Sequence, residues 1–410
     1  MNKRKKILQI NSVAGLGSTG RIADTLGDLA LDHGFESYIA YGRQAAPSRS
    51  QLLKIGNRAD TYAHVAQSRL FDNHAFGSLR ATRRFVAQIR EIGPDLVHLH
   101  NIHGYYLHAG ELFEYLAGQD IPIVWTLHDC WPLTGHCAHF SYAGCEKWRT
   151  GCFNCPASRH YPSARLLDRS KRNYERKKAL FTAPHNLTVV AVSQWLAGIV
   201  RGSFLGGYPV EVICNGVNTT LFRPQEELRN ATRARYGLGG RYLLVAAATA
   251  WSARKGLNDY AALRQQLPEE FDILLIGLTP QQIAELPPGI RGIARTNNAE
   301  ELARLYAAAD IVLNLSREES FGLTTAEGFA CGTPGIVLDA TASPELITPQ
   351  TGIVVPPDDP AAIAAAVREI TTRGRAFYAE ACRNRALQYY DKNRQWAKYI
   401  DLYDRLLTTK

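Results

Sequence analysis

Nowhere in the 410 residues does an unbroken apolar run approach the roughly 18 positions a membrane-spanning helix needs. The start, MNKRKKILQI, passes from charges straight into a short apolar segment, so no signal peptide is read and a cytoplasmic location is expected. Short internal repeats and low-complexity tracts are also missing, which argues against repeat arrays and long disordered linkers. Eight cysteines come without an export signal, and that argues against a disulfide framework.

Hydrophobic residues are 46% and charged residues 21% of the chain, the profile of a folded protein too long for one core, so two domains are expected. The formal charge of +9 points to anionic partners, and nucleic acid, phosphorylated substrates and an acidic membrane face all qualify. Basic residues concentrate in Arg80 to Arg90 and Arg165 to Lys178, where helical spacing would present one positive face. A solvated helix surface is the plain reading of both, and contact with lipid phosphate the functional one.

Short apolar segments alternate with helix-compatible stretches: KILQIN, SYIAYG, LVHLH, PIVWTLH and LTVVAVS, then RYLLVAAAT, FDILLIGL, DIVLNLS and PGIVLDA. Such alternation implies right-handed crossovers and parallel sheets, giving an α/β chain of two Rossmann-like, doubly wound domains. Between them EVICNGVNTTLFRP ends a strand and starts a linker near residues 215–235. The expected boundaries are 1–220, with a Cys-rich loop at 130–160, then 235–380, then a helical segment 381–410 packing back across both domains.

The strongest chemical signal is ESFGLTTAE, Glu319 to Glu327, just after DIVLNLS. Ligands of open α/β sheets bind beyond the carboxyl ends of the strands, and a helix opening at Gly322 to Thr324 aims free amides there. A diphosphate suits such a site. Glu319 would lie in the loop, while Glu327, about one turn inside the helix, could accept hydrogen bonds from two ribose hydroxyls. The competing reading is that both acids only decorate a helix start, where negative charge is favourable anyway.

The segment ADIVLNLSREESFGLTTAEGFACGTPGIVLD closely resembles the donor-site segment of the retaining glycosyltransferase family four, with its E-x7-E motif. NGVN at Asn215 to Asn218, followed by Phe222 and Pro224, is similar to the family's interdomain turn, and ARKG at Ala253 to Gly256 to its phosphate-contacting loop. The resemblance implies the GT-B architecture, two domains facing a central cleft with a C-terminal helix crossing back. It implies Lys255 on the diphosphate, Glu327 on the ribose, and Glu319 with the amides of Phe321, Gly322, Leu323 and Thr324 on sugar and phosphate. Many members carry an arginine five or six positions before that lysine; here Thr249 and Ala250 stand there, so either Arg254 supplies the second cation or there is none.

In the first half, GLGSTGR after KILQIN again aims a Gly-rich turn and helix start at a phosphate or sugar, although glycine there also serves the turn itself. Gly17 and Ser18 stand where the family has a double glycine. No acidic residue closes SYIAYG, which counts against an NAD ribose site. In WTLHDCWPLTGH, His128 and Asp129 follow a strand and resemble the family's His-Asp segment bordering the sugar, which gives His128 an orienting role rather than that of a general base. In the front-face mechanism proposed for this family the leaving phosphate takes the acceptor proton, a task Lys255 would support. HLHNIH suggests a metal cluster, but only its nearest histidines share a face, so no catalytic metal or other cofactor is expected.

Cys137, Cys145, Cys152 and Cys155 form C-x7-C-x6-C-x2-C, a candidate structural zinc site with one chelating C-x2-C half, against the alternative of reduced, unliganded cysteines. A similar HDxWxxTGxC segment occurs in exopolysaccharide glycosyltransferases of the colanic-acid type. That resemblance implies a UDP- or GDP-sugar donor, a glycan or polyprenyl-diphosphate-linked acceptor, peripheral contact with the inner membrane, and no nucleic acid. Two alternatives stay open: a sugar-nucleotide epimerase or hydrolase on the same fold, and a zinc-stabilised nucleic-acid-binding protein.

Overall fold

The computed structural model describes residues 4–239 and 241–408. By internal contacts the chain divides into one unit of residues 1–213 with 396–410 and a second of residues 214–395.

The first unit holds a seven-stranded sheet: β1 (Lys6–Asn11), β2 (Glu36–Tyr41), β3 (Gln51–Lys54), β4 (Leu96–Leu99), β5 (Ile123–Leu127), β6 (Leu187–Ala191) and β7 (Val210–Val212). Their spatial order is β3-β2-β1-β4-β5-β6-β7, and every neighbouring pair is parallel. Helices cover both faces of such a sheet, so the central strands are apolar nearly throughout, as Ile7, Leu8 and Ile10 are at 0% exposure. The helix Gly17–Asp32 buries Ile22, Ala23, Leu26 and Ala30, one stripe at helical spacing. The last helix, Lys392–Thr408, sends Trp396, Tyr399, Ile400, Leu402 and Tyr403 into the same core, against Ile7, Leu26, Leu96, Val124 and Val190.

The second unit repeats the plan with β8 (Tyr242–Ala247), β9 (Phe271–Ile276), β10 (Ile290–Ile293), β11 (Ile311–Asn314), β12 (Gly335–Leu338) and β13 (Gly352–Val355). The order is β10-β9-β8-β11-β12-β13, again parallel. In each sheet the strand order reverses beside the first strand: between β1 and β4, and between β8 and β11.

Two short strands escape the alternating pattern. Both β3 (QLLK) and β10 (IRGI) are edge strands of four residues, too short to show a period and only half covered. The expected linker also differs, because residues 229–235 form a helix, Arg229–Arg235. Arg229 and Arg233 both pair with Asp310 ahead of β11, the latter at 2.6 Å, and Asp310 also accepts from the Leu243 amide at 2.7 Å. Charge pairing rather than an apolar stripe holds that helix, which a search for periodicity overlooks. The Arg165–Lys178 stretch is not one basic helix face either: the helix begins at Ser170, and Lys177 points inward, 1% exposed.

Candidate functional site

In the second unit the loops leaving β8 and β11 flank the point of strand reversal, where ligands of open α/β sheets bind. The β8 loop turns through Gly256 (φ +74), where a Cβ would stand 2.1 Å from the Leu315 carbonyl. Only glycine permits this approach, which lays the loop along the exit of β11. Arg317 N then donates to Arg254 O at 2.9 Å, and Lys255 Nζ reaches Glu319 Oε1 at 2.5 Å. Both members of this ion pair keep about a fifth of their side-chain surface exposed (21% and 19%), so they are open to a ligand. Arg254 is held differently, donating to the Glu318 carbonyl at 3.3 Å beside the buried Glu318 carboxylate.

The helix Leu323–Ala330 opens directly after this pair, capped by Gly322 at φ +103. Its first turn carries no acid and no side-chain cap, so the amides of Leu323 and Thr324 lack the partners that helix interiors supply. Thr324 Oγ1 donates to Ala247 O at 3.3 Å and ties the helix start to the end of β8. Phe321 is buried, its ring edge-on to Tyr390 at 5.5 Å, while Glu327 sits half-buried one turn into the helix. Lys255, Glu319 and the uncapped helix start are thus brought together at the exits of β8 and β11.

In the first unit the Gly-rich turn follows β1. Gly17 has φ +62, and it and Ser18 are exposed at the start of the helix Gly17–Asp32, again without a side-chain cap or an acid in the first turn. Across the strand reversal, His100 follows β4 and His128 follows β5. His100 Nδ1 lies 3.2 Å from His128 Nε2, and His100 Nε2 lies 3.0 Å from Gln9 Oε1. Asp129 takes two hydrogen bonds, from His103 Nε2 at 2.9 Å and from the Trp131 amide at 2.9 Å, and His103 Nδ1 meets Tyr161 at 2.9 Å. Burial pulls His128 down to about 4, against the opposing pull of Asp129, so the ring is neutral near pH 7. Burial also pushes the Asp129 carboxyl up, but His103, His139 and the Trp131 amide together outweigh it and hold the group at about 2. Asn215 opens the second unit as a buried residue.

The four cysteines of the C-x7-C-x6-C-x2-C segment, all unbridged, line one pocket with His136, Lys147 and the stacked Phe140–Trp148 pair. His136 Nδ1 meets Asp72 Oδ1 at 2.6 Å, and its buried Nε2 has no hydrogen-bond partner. Buried Lys177 donates to Trp131 O at 2.8 Å and Thr134 O at 3.0 Å beside the loop. Among the described residues, no three His, Cys, Asp or Glu side chains already stand as a metal-holding group.

Several residues that build these sites were not singled out from the sequence: Gln9, Tyr161, Glu318 and Thr341, whose hydroxyl takes the Glu319 amide at 2.9 Å, while His100 and His103 stood out only as a possible metal cluster. One signal was available for Gln9, a polar residue inside the apolar strand KILQIN, 1% exposed. The others depend on which strands become neighbours.

Residues 19–221 match the model described as Glycosyltransferase Family 4, and residues 241–373 match that of Glycosyl transferases group 1. The chain is 27% identical to the colanic acid biosynthesis glycosyl transferase WcaC of Escherichia coli (strain K12), over 85% of this chain and 87% of that protein. It is 30% identical to an MMP alpha-(1->4)-mannosyltransferase of Mycolicibacterium hassiacum over 42% of this chain and 41% of that one. Among solved structures, sucrose-phosphate synthase from Thermosynechococcus elongatus superposes with a TM-score of 0.74 at 18% identity, covering 99% of this chain and 100% of that one. Anabaena HepE in complex with UDP and glucose gives 0.70 at 17% identity, covering 98% and 100%. At such identity these structures speak for the fold alone, the GT-B architecture of two Rossmann-like domains. With a family model on each half, the chain belongs to the glycosyltransferases of family four and group 1.

Proposed function

We propose that this glycosyltransferase moves a hexose from a UDP- or GDP-sugar, with retention of anomeric configuration, onto a glycan or polyprenyl-diphosphate-linked acceptor in cell-surface polysaccharide synthesis. The observation that carries the reading is the Lys255–Glu319 pair at the strand reversal of the second sheet, next to an uncapped helix start. A nucleoside diphosphate entering there would meet the Lys255 ammonium and the amides of Gly322, Leu323 and Thr324, groups that stabilise charge growing on a leaving phosphate. Glu327, half-buried one turn further on, is a carboxylate that would accept from ribose hydroxyls. His128, neutral near pH 7, suits hydrogen bonding to a substrate hydroxyl rather than electrostatic work. HepE was solved with UDP-glucose, and WcaC is described for colanic acid biosynthesis, which supports both the donor class and the polymer context.

Two further parts belong to the same reading. Leu166 (68%), Leu167 and Phe71 are exposed, Arg169 lies over the Phe71 ring, and the Arg165 amide bonds to Arg69 O at 2.7 Å. Exposed apolar side chains close in sequence to Arg165 and Arg169 suit an anionic lipid surface, where a lipid-linked acceptor would be met. No helix among the described residues is long and apolar enough to cross a membrane. The cysteine loop is proposed to hold one structural zinc, supported by four cysteines on one pocket.

The test is a thermal-shift screen of UDP-, GDP- and ADP-sugars, followed by proton NMR of the first product formed from the donor that binds. Stabilisation by about 2.7 kcal/mol is expected at a donor concentration 100 times its dissociation constant. An inverted linkage would remove the retaining mechanism, and no binding by any nucleotide sugar would remove the reading.

A further inference from the structure

We propose that Gln9 and His100 are positioning residues that hold His128 as its Nε2–H tautomer, leaving Nδ1 as a pure hydrogen-bond acceptor for a substrate hydroxyl. The inference deepens the proposed function and rests on it for the identity of the ligand, a polyhydroxylated sugar. The tautomer itself follows from the hydrogen bonds together with the neutrality of two buried rings.

The Ala23 carbonyl can only accept a hydrogen bond. Gln9 Nε2 donates to it at 2.8 Å, and this fixes the amide so that Gln9 Oε1 is the atom 3.0 Å from His100 Nε2. A carbonyl oxygen only accepts, so His100 carries its proton on Nε2. Burial pulls His100 well below the ordinary histidine range, so the ring is neutral and its Nδ1 is a lone pair. That lone pair stands 3.2 Å from His128 Nε2, which must therefore be the protonated nitrogen of a second neutral ring. Nδ1 of His128 is left as an acceptor, and no described residue donates to it.

The scaffold keeps each link in place. His100 N donates to Ile10 O at 2.9 Å, and Trp125 Nε1 donates to His100 O at 3.1 Å, so the backbone of His100 is bolted to β1 and β5. Its ring stacks on His128 (5.5 Å between centroids, 19° between planes) and lies 4.0 Å from the His98 ring, itself held by Tyr403 at 2.6 Å and Thr126 at 2.8 Å. Neither ring is free to flip and exchange its nitrogens. A ring holding the opposite tautomer would offer an N–H at the same point, and a sugar hydroxyl would have to turn its own proton elsewhere.

The full-length chain labelled with 15N-histidine, His128 being identified by its loss in His128→Gln, tests this directly. The expected wild-type spectrum has a pyrrole-type Nε2 and a pyridine-type Nδ1 for His128. Gln9→Met and His100→Phe remove an acceptor while roughly keeping shape. Each is expected to mix the two tautomers and to lower kcat/KM about tenfold, the worth of one neutral hydrogen bond. His100→Asn, with an oxygen near the place of Nδ1, is expected to restore the wild-type pattern and most of the turnover. A wild-type Nδ1–H signal, or acceptor-deleted variants that fold and keep both pattern and turnover, would overturn the proposal. If the wild type binds and turns over no nucleotide sugar, the functional reading fails while the spectrum still decides the tautomer. If Gln9→Met does not fold, the His100→Phe and His100→Asn pair carries the comparison.

Discussion

Lys255, Glu319 and Glu327 were legible as residues because each sits at a fixed offset from a turn or helix start, and turn chemistry is local. What they do to one another was not legible. The contact between Lys255 and Glu319 spans 64 positions and exists because β8 and β11 are neighbours, a fact of sheet order. It leads to a division of labour. Charge on the diphosphate grows towards the transition state, so Lys255→Ala is expected to lower kcat about 100-fold while changing donor affinity little. On the proposed function Glu327→Ala would remove ribose hydrogen bonds made equally before and during reaction, so it should weaken donor binding about tenfold with a smaller effect on kcat. Calorimetric titration with the donor, set beside steady-state kinetics, checks both; a Lys255→Ala effect confined to KM would remove its assigned role.

At the level of elements, the long parallel-strand pattern was read correctly where strands are buried on both faces, and missed in β3 and β10, where an edge position leaves four residues without a period. The cysteine loop is the element with least regular structure. Its spacing suggested a metal, and the fold does collect Cys137, Cys145, Cys152 and Cys155 around one pocket, with the unpartnered Nε2 of buried His136 beside them. Four thiolates would load that pocket with negative charge, which Lys177 and His136 lie close enough to offset. Protein purified without a histidine tag is expected to contain about one zinc per chain, and chelation should unfold the loop rather than the sheets. Less than about a tenth of an equivalent, with all four thiols rapidly titratable in the native protein, would show a set of reduced cysteines instead.

For the whole molecule, pH acts mainly through the buried histidines of the first unit. Burial holds His64 and His98 at about 3 and His128 at about 4, whereas the unfolded chain binds those protons near pH 6.5. Their folded values are depressed, so nothing is lost above about pH 6.5, and each removes about 1.4 kcal/mol of stability per pH unit as pH falls from there towards the folded value. His136 works the other way: burial lowers it, but the Asp72 carboxylate more than compensates and raises it, whereas burial also depresses His74, His100 and His108. Urea unfolding of the first unit, followed by tryptophan fluorescence, should therefore shift to lower denaturant between pH 7 and pH 5; a flat profile would mean that these rings protonate without unfolding. The amino-acid sequence by itself determined the alternation of strands and helices, the doubled Rossmann plan and the Gly-rich and E-x7-E turns, because periodicity and turn conformation depend on near neighbours along the chain. Only the tertiary structure decided that Tyr403 would bond His98 across 305 positions, that Gln9 would face His100, and that Lys255 would meet Glu319. These pairings follow from strand order and side-chain packing, which no local pattern specifies.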